Sequence, residues 1–310
     1  MMARVSFRFS CVLLGLTVLT GCLFHSRKPD LRMSTAKLRN STAADLIQKI
    51  NTRAAQIKTL NATVDIAASV GGSKKGKITD YQQIRGYILI RQPDMFRMIG
   101  LFPVVRNRAF DMVSDGRSFK LWIPTKNKFY TGANEVTTPA ANPLENLRPG
   151  VIYDAFLLQP IDEQHEIAVL ENDNETVLDT KTKKQVLQPD YVLDVIERTP
   201  HGWYLARKIT FSRIDLQPDR QVIYDQNGYV ASDVRYEDIR DFSGFQFPQQ
   251  ISIWRPQEEY SVTLGMVKLQ LNEPLKDDQF ALAMPPGAQL VQLGNGSKPQ
   301  AANGDGIQPH

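Results

Sequence analysis

Apolar residues recur along this chain at two periods, and the changes between them mark out its parts. Leu46, Ile47, Ile50, Ala54 and Ile57 fall on one side of a 3.6-residue turn, and Thr42-Ala43-Ala44-Asp45 reads as a capping box with Asp in place of Glu. The spacing predicts a helix with one buried face, packed on a sheet. Residues 61–70 then alternate weakly as a first strand, and the glycine- and lysine-rich stretch from Gly71 to Lys77 follows. That stretch has glycines and a lysine like a phosphate-binding loop, but Ile78 stands where Ser or Thr is needed and no helix follows, so a hairpin loop fits it better.

From Gly86 to Gly132 the chain reads as one run of strands and turns. Residues 86–91 are β-rich, Gln92-Pro93-Asp94 is turn chemistry, and Met95-Phe96-Arg97-Met98-Ile99 opens the next strand. In Gly100-Leu101-Phe102-Pro103-Val104-Val105, large apolar side chains occupy a connection that would ordinarily be polar. Connections run over the surface, so Leu101 and Phe102 are expected to be exposed, with Val104 beside them. Residues 109–113 lead through the Ser114-Asp115-Gly116 turn into a strand with Phe119, Leu121 and Ile123 on one face and Ser118, Lys120 and Trp122 on the other. This is antiparallel sheet with one apolar face.

Residues 136–149 are rich in Thr, Pro, Asn and Ala and read as a loop with a short helix at 143–147. Val151, Ile152, Ala155 and Phe156 then repeat at helical spacing until Pro160. So short a helix must be held by packing, as a lid over the sheet or a plain crossover. Beyond it the period returns to two, with strands expected at 167–170, 176–179, 191–198, 202–214, 220–225, 228–239, 249–255 and 259–271. His201-Gly202 and Asn227-Gly228 mark tight turns, and the acidic stretch 171–175 reads as a hairpin tip. About eleven strands in all are too many for a flat sheet, so it should curl. The expected class is mainly β with helices, a strongly curled antiparallel sheet.

The N-terminus changes the picture of where this sheet works. Arg4 and Arg8 precede an apolar run from Val12 to Leu19 that ends in Leu19-Thr20-Gly21-Cys22, the plan of a secretory signal and too short for a spanning helix of about 20 residues. Cys11 and Cys22 are the only cysteines, so after cleavage Cys22 has no disulfide partner. The ending resembles the lipobox of bacterial lipoproteins, which implies acylation of Cys22 and a tethered product, with Leu23 rather than Asp pointing to the outer membrane. Domains are expected at 1–22 (signal), 23–40 (flexible tether, about 60 Å if extended), 41–293 (folded domain) and 294–310 (disordered tail).

Composition adds exclusions. Losing Arg4 and Arg8 lowers the formal charge from +4 to +2, a weak footprint for nucleic acid. The four histidines, His25, His165, His201 and His310, have no metal-ligand spacing, so no metal or cofactor is expected. Carboxylates are scattered and no nucleophile elbow appears, so no catalytic residue is assigned and no enzyme is expected. Arg207 shares a strand pattern with Trp203, Leu205, Ile209 and Phe211. It is a polar handle in an apolar hollow if that face is concave, and merely solvated if it is not.

The order of parts resembles the LolA/LolB superfamily of lipoprotein carriers and receptors. The likeness rests on the N-terminal helix, Arg91-Gln92-Pro93-Asp94-Met95-Phe96-Arg97, Ser114-Asp115-Gly116, Leu121-Trp122-Ile123-Pro124, Phe242-Ser243-Gly244-Phe245-Gln246-Phe247-Pro248, Leu271-Asn272-Glu273-Pro274-Leu275 and residues 280–287, over roughly 42–293. It implies an unclosed barrel whose apolar hollow, covered by helices, holds acyl chains. It further implies cargo of acylated lipoproteins or lipids, a membrane anchor at Cys22, and a soluble periplasmic carrier as partner. Leu101, Phe102 and Val104 would form the transfer loop, with Phe96, Phe119, Leu121, Trp203, Leu205, Arg207 and Phe211 as cavity candidates. A sensor acting through a protein partner and a ligand-free structural lipoprotein are the alternatives.

Overall fold

The computed structural model describes residues 31–74, 76–134, 148–179, 182–200 and 202–293. The leader with Cys22, the stretch 135–147 and the tail 294–310 lie outside the described residues, as does His201 of the expected turn. The first half of the chain supplies β1 (Arg32–Met33), α1 (Ala43–Gln56), β2 (Thr59–Gly72), β3 (Lys77–Asp80), β4 (Ile84–Arg91), β5 (Met95–Leu101), β6 (Arg108–Ser114), β7 (Ser118–Ile123) and β8 (Lys128–Ala133). The second half supplies α2 (Pro149–Phe156), β9 (Glu166–Leu178), β10 (Gln185–Thr199), β11 (Gly202–Ser212), β12 (Pro218–Tyr224), β13 (Val230–Phe242), β14 (Phe245–Arg255), β15 (Tyr260–Leu271) and β16 (Gln289–Leu293).

Two compact units divide the chain: Met1–Thr35 with Asn174–Pro189, and Ala36–Asp173 with Asp190–His310. In the smaller, β1 pairs in parallel with Val186 and Leu187, and the Ser34 N–H donates to the Leu187 carbonyl at 2.7 Å. In the larger, strand neighbours run β10-β11-β12-β13-β14-β15-β2-β4-β5-β6-β7-β8-β16, and only the last pair is parallel. The path does not return on itself, so the sheet is unclosed. Sixteen strands are present among the described residues, against about eleven expected. Short pairings such as β1, β3 and β16 carry no alternation that would mark them.

The apolar face follows the two-residue period. Ile251, Leu264, Ile66 and Ile84 stand opposite one another across β14, β15, β2 and β4. Ile88, Met98, Met112, Leu121 and Tyr130 do the same from β4 to β8. Helix α2 touches β14 and also β5 and β6. β14 and β6 are five strand positions apart, a span of about 24 Å in a flat sheet at ~4.8 Å per strand. A helix only about 10–12 Å across reaches both because the sheet curls around it.

Helix α1 starts as its sequence predicts. The Asp45 N–H donates to Thr42 Oγ1 (3.2 Å) and the Thr42 N–H donates to Asp45 Oδ2 (3.1 Å). Leu46, Ile50 and Ala54 are buried, and Arg53 lies 5.2 and 5.5 Å over the rings of Phe245 and Phe247. Two sequence expectations change here. Residues 39 and 40, read as free tether, are held: the Arg39 N–H donates to the Arg213 carbonyl and Arg213 Nη2 to Asn40 Oδ1, both at 2.7 Å. The stretch 171–175 is no hairpin tip but the middle of β9, because pairing with β10 carries the ladder through it and overrides local turn propensity.

The outer face of β5–β8 is covered by the chain after β15. Asp111, fully buried, takes two hydrogen bonds from Arg97 (3.0 and 2.8 Å) and lies 3.1 Å from Arg108, while Arg97 Nη1 donates to the Gln279 carbonyl (2.8 Å). Leu282 and Ala288 then pack with Val113, Phe129 and Trp122. Removing one partner of a buried pair leaves the other charge uncompensated. Asp111→Ala is therefore expected to lower unfolding free energy by about 3–5 kcal/mol in denaturant titrations and to speed amide exchange over 276–288. Native-like stability would show that the ion pair does not clamp this segment.

Candidate functional site: two chambers beside a buried helix

Helix α2 has eight residues, about 12 Å of helix. The 13 residues of β13 extend over about 43 Å. The helix therefore covers only part of the length of the hollow. Ile152, Ala155 and Phe156 are buried against the sheet, with the Phe156 and Phe247 rings 6.1 Å apart. Polar contacts fix its position. The Tyr153 hydroxyl donates to the Pro93 carbonyl, Arg207 donates to the carbonyls of Gln159 (2.8 Å) and Pro160 (3.0 Å), and Asn51 pairs with the backbone of Ile161.

On one side of α2 lies an apolar cavity of about 310 Å³, walled by Ile66, Ala68, Ile84, Met98, Phe102, Phe110, Met112, Leu121, Ile123, Ile152 and Val262, with Tyr81 and Gln82 at its edge. The 102–105 connection contributes Phe102 to its wall, and there the expectation of exposure is corrected. Leu101 and Phe102 are half-buried, and Phe102 forms part of the cavity wall, because the Phe102 N–H donates to the Asn107 carbonyl and the Arg106 N–H to the Phe102 carbonyl. The exposed apolar tip is Val104 (98 %) with Val105 (65 %). Val104 has φ 67°, a left-handed conformation that costs a β-branched residue about 1–2 kcal/mol. Neither stability nor solubility favours a valine at this point.

On the other side of α2 lies a polar chamber of about 910 Å³, lined by Pro93, Asp94, Phe96, Ser114, Arg148, Tyr153, Asp154, Gln159, Tyr204, Arg255 and Glu258 among others. Arg207 faces inward but is not an open handle. It is 7 % exposed and spent on the turn after α2 and on Glu166 (3.2 Å). Burial and the neighbouring Glu197, which accepts from the Tyr204 hydroxyl at 2.8 Å, push that tyrosine up to about 12.

The cavity candidates separate. Leu121 lines the apolar cavity and Phe96 the polar chamber. Phe119 lies under Arg148, and Phe211 is packed in the core. Trp203 and Leu205 are displaced from the hollow. The register steps from Val195↔Arg207 to Ile196↔Leu205, so Ala206 is an extra residue that reverses the alternation beyond it. Trp203 is consequently 52 % exposed beneath Arg198, and Tyr204, which alternation alone assigns outward, lines the chamber.

Asp154 is partly buried and accepts from Gln159 Nε2 at 2.8 Å. Burial pushes its carboxyl above the usual range, against the pull of Gln159 and Arg207. The folded chain thus holds this proton more tightly than the unfolded chain, so stability is lost as pH rises from the unfolded value through the folded one. Asp154→Asn should therefore be more stable than the native protein at neutral pH and equal to it below about pH 3, where both side chains are uncharged. Denaturation at the two pH values checks this, and a variant less stable at neutral pH would contradict it.

No family model and no curated protein matches the chain. Among solved structures, it is similar to a LolA superfamily protein from Nitrosomonas europaea, with a TM-score of 0.50 and 14 % identity over 78 % of this chain and 99 % of that one. A putative outer membrane lipoprotein-sorting protein domain from Vibrio parahaemolyticus gives 0.49 at 12 % identity, over 77 % and 97 % of the two chains. A DUF1329 family protein from Desulfovibrio piger gives 0.48 at 13 %, over 77 % and 95 %. The likeness is one of architecture, an unclosed, curled sheet around a helix: the chain has a LolA/LolB-like fold.

Proposed function

We propose that this protein is a lipid-anchored, periplasm-facing binder of acyl chains, taking those of lipoproteins or lipids into the apolar cavity for reception or insertion at the outer membrane. The observation that carries the reading is the cavity of about 310 Å³ walled almost wholly by carbon, one of whose wall residues, Phe102, lies two positions from the exposed Val104. That volume lies at the lower end of the ~300–1,000 Å³ of ordinary ligand pockets, and each methylene it dries contributes about 0.8 kcal/mol. Release needs a second dry destination, which a bilayer supplies. Anchoring rests on Leu19-Thr20-Gly21-Cys22 and on the lack of a disulfide partner for Cys22. No helix among the described residues is long and apolar enough to cross a membrane. No catalytic step, metal or cofactor enters this reading. A soluble periplasmic carrier is the partner that would hand over cargo.

Ala68 is, with Ala109, one of the two smallest side chains in the cavity wall, so Ala68→Phe adds a ring into the space itself. Excluding about two methylenes of ligand should weaken binding of a fluorescent long-chain fatty acid roughly tenfold while the fold stays intact. Native protein that takes up no fatty acid, or a variant that binds it equally well, would sink the reading and favour a ligand-free structural lipoprotein.

Val104→Gly tests the tip separately. Relief of the left-handed strain should leave stability unchanged or raise it by up to about 1 kcal/mol. Uptake of fatty acid should be unaffected and its transfer to vesicles several-fold slower. Transfer at the native rate would exclude a role for the tip in delivery.

A further inference from the structure

Three connections leave the half-sheet β2–β8 at one end. The antiparallel register sets Ile66 opposite Ile84, Arg85 opposite Leu101, Leu101 opposite Arg108 and Ile123 opposite Lys128. The link from β2 through β3 to β4, the connection 102–107 and the connection 124–127 therefore share that end. Each is tied to the apolar cavity, whose wall takes Tyr81 and Gln82 from the first, Phe102 from the second, and Ile123 from just before the third.

Charge is distributed unevenly there. The whole chain is nearly balanced, with 37 basic residues against 33 acidic, yet residues 73–79, 102–107 and 124–127 contain no carboxylate. Several pairs at this end cancel: Arg85 with Asp65 at 2.6 Å, Arg97 with the buried Asp111 at 2.8 Å, and Arg255 with Glu258 of the β14–β15 turn at 2.6 Å. Lys74 is offset by Glu259, whose carboxylate accepts from the Lys74 N–H. Five cations remain, Lys77, Arg106, Arg108, Lys126 and Lys128, against two carboxylates, Asp80 and Asp225 of the adjoining β12–β13 turn. The excess is three positive charges. Lys77, Arg106 and Lys126 are exposed, and their side chains have no ion-pair partner among the described residues.

Exposed apolar groups stand among these cations. Ile78, next to Lys77, is 65 % exposed, Val104 and Val105 precede Arg106, and Tyr81 is also exposed. A face that only had to stay in water would gain nothing from them. Anionic bilayers answer both features, because their headgroups attract basic side chains and the boundary beneath them accepts apolar ones; tyrosine suits the headgroup level. An acidic protein surface answers the charge alone.

We propose that this end of the sheet is a docking face for an anionic bilayer, with Ile78, Val104 and Val105 entering the headgroup boundary and Lys77, Arg106 and Lys126 set over lipid phosphates. The inference deepens the acyl-chain reading by naming the surface that receives or supplies the chain, and it rests on exposure and charge rather than on the cavity.

The test uses residues 23–310, which keep every described residue and omit the leader and Cys22, so that an acyl anchor cannot account for binding. The probes are phosphatidylcholine vesicles with and without about one third phosphatidylglycerol. One basic side chain near an anionic surface is worth about fivefold in partition, so cosedimentation should be roughly 20- to 100-fold stronger with the anionic vesicles. Most of that preference should vanish near 1 M salt, where the Debye length falls to about 3 Å.

The triple variant Lys77→Glu, Arg106→Glu, Lys126→Glu should bring the two affinities together and leave fatty-acid uptake unchanged. A second triple variant, Lys58→Glu, Arg240→Glu, Lys268→Glu, changes net charge equally at exposed positions toward the opposite end and should keep the preference. Should the first not fold, Arg106→Glu alone and the comparison of vesicles on the native sequence decide. Equal binding to the two vesicles, a preference that survives the first variant, or one that the second abolishes as fully overturns the inference; fatty-acid uptake then leaves the acyl-chain reading standing. Binding to neither vesicle also overturns it and makes an acidic protein surface the counterpart of these charges. A native sequence that prefers anionic vesicles but takes up no fatty acid upholds the docking face and sinks the acyl-chain reading alone.

Discussion

A sheet with one apolar face that does not close has to bury that face against something, and in this chain the cover falls chiefly to α2, a helix of eight residues. The sheet curls because only then can β5, β6 and β14 all reach so small an element. A helix of this length would not persist alone, which explains the polar fastenings around it: Tyr153 to Pro93, Arg207 to the turn after it, and Asn51 of α1 to Ile161. Because the plug is shorter than the hollow, space remains on either side of it. The functional reading follows from this mismatch of lengths rather than from any reactive group.

Much of the architecture is legible in the chain because it rests on period and local chemistry. The Thr42 cap, the helical spacing at 150–158 and the alternation from Ile88 to Tyr130 each reappear in the structure at the expected place. What is not legible depends on partners distant in sequence. The extra residue at Ala206 leaves no mark in composition, yet it turns Trp203 and Leu205 out of the hollow and Tyr204 into it. The 171–175 stretch has turn propensity and is nevertheless strand, since β10 supplies its pairing. Phe102 belongs to the cavity wall because a hairpin-like closure to Asn107 draws it inward, which leaves Val104 as the tip.

The two spaces differ in how they are built, and this bears on what they hold. The apolar cavity is a product of strand alternation, so Leu121 and its neighbours can be picked out from the sequence. The polar chamber joins Arg148, just before α2, to Arg255 and Glu258 at the end of β14, residues more than a hundred positions away. Neither position has a recognisable motif. Their burial is expensive, and unpartnered atoms on Arg255, Glu258 and Tyr260 raise that cost, so a core selected for stability alone would carry apolar residues there.

Central to the account is that the hollow is a binding space and not an imperfectly filled core. The most direct measurement is mass spectrometry of the intact protein, isolated under non-denaturing conditions from its own cell envelope. The account predicts a bound acylated mass that is released on unfolding and is distinct from any covalent modification of Cys22. A protein that is reproducibly empty, and remains so after incubation with long-chain lipid, would contradict it.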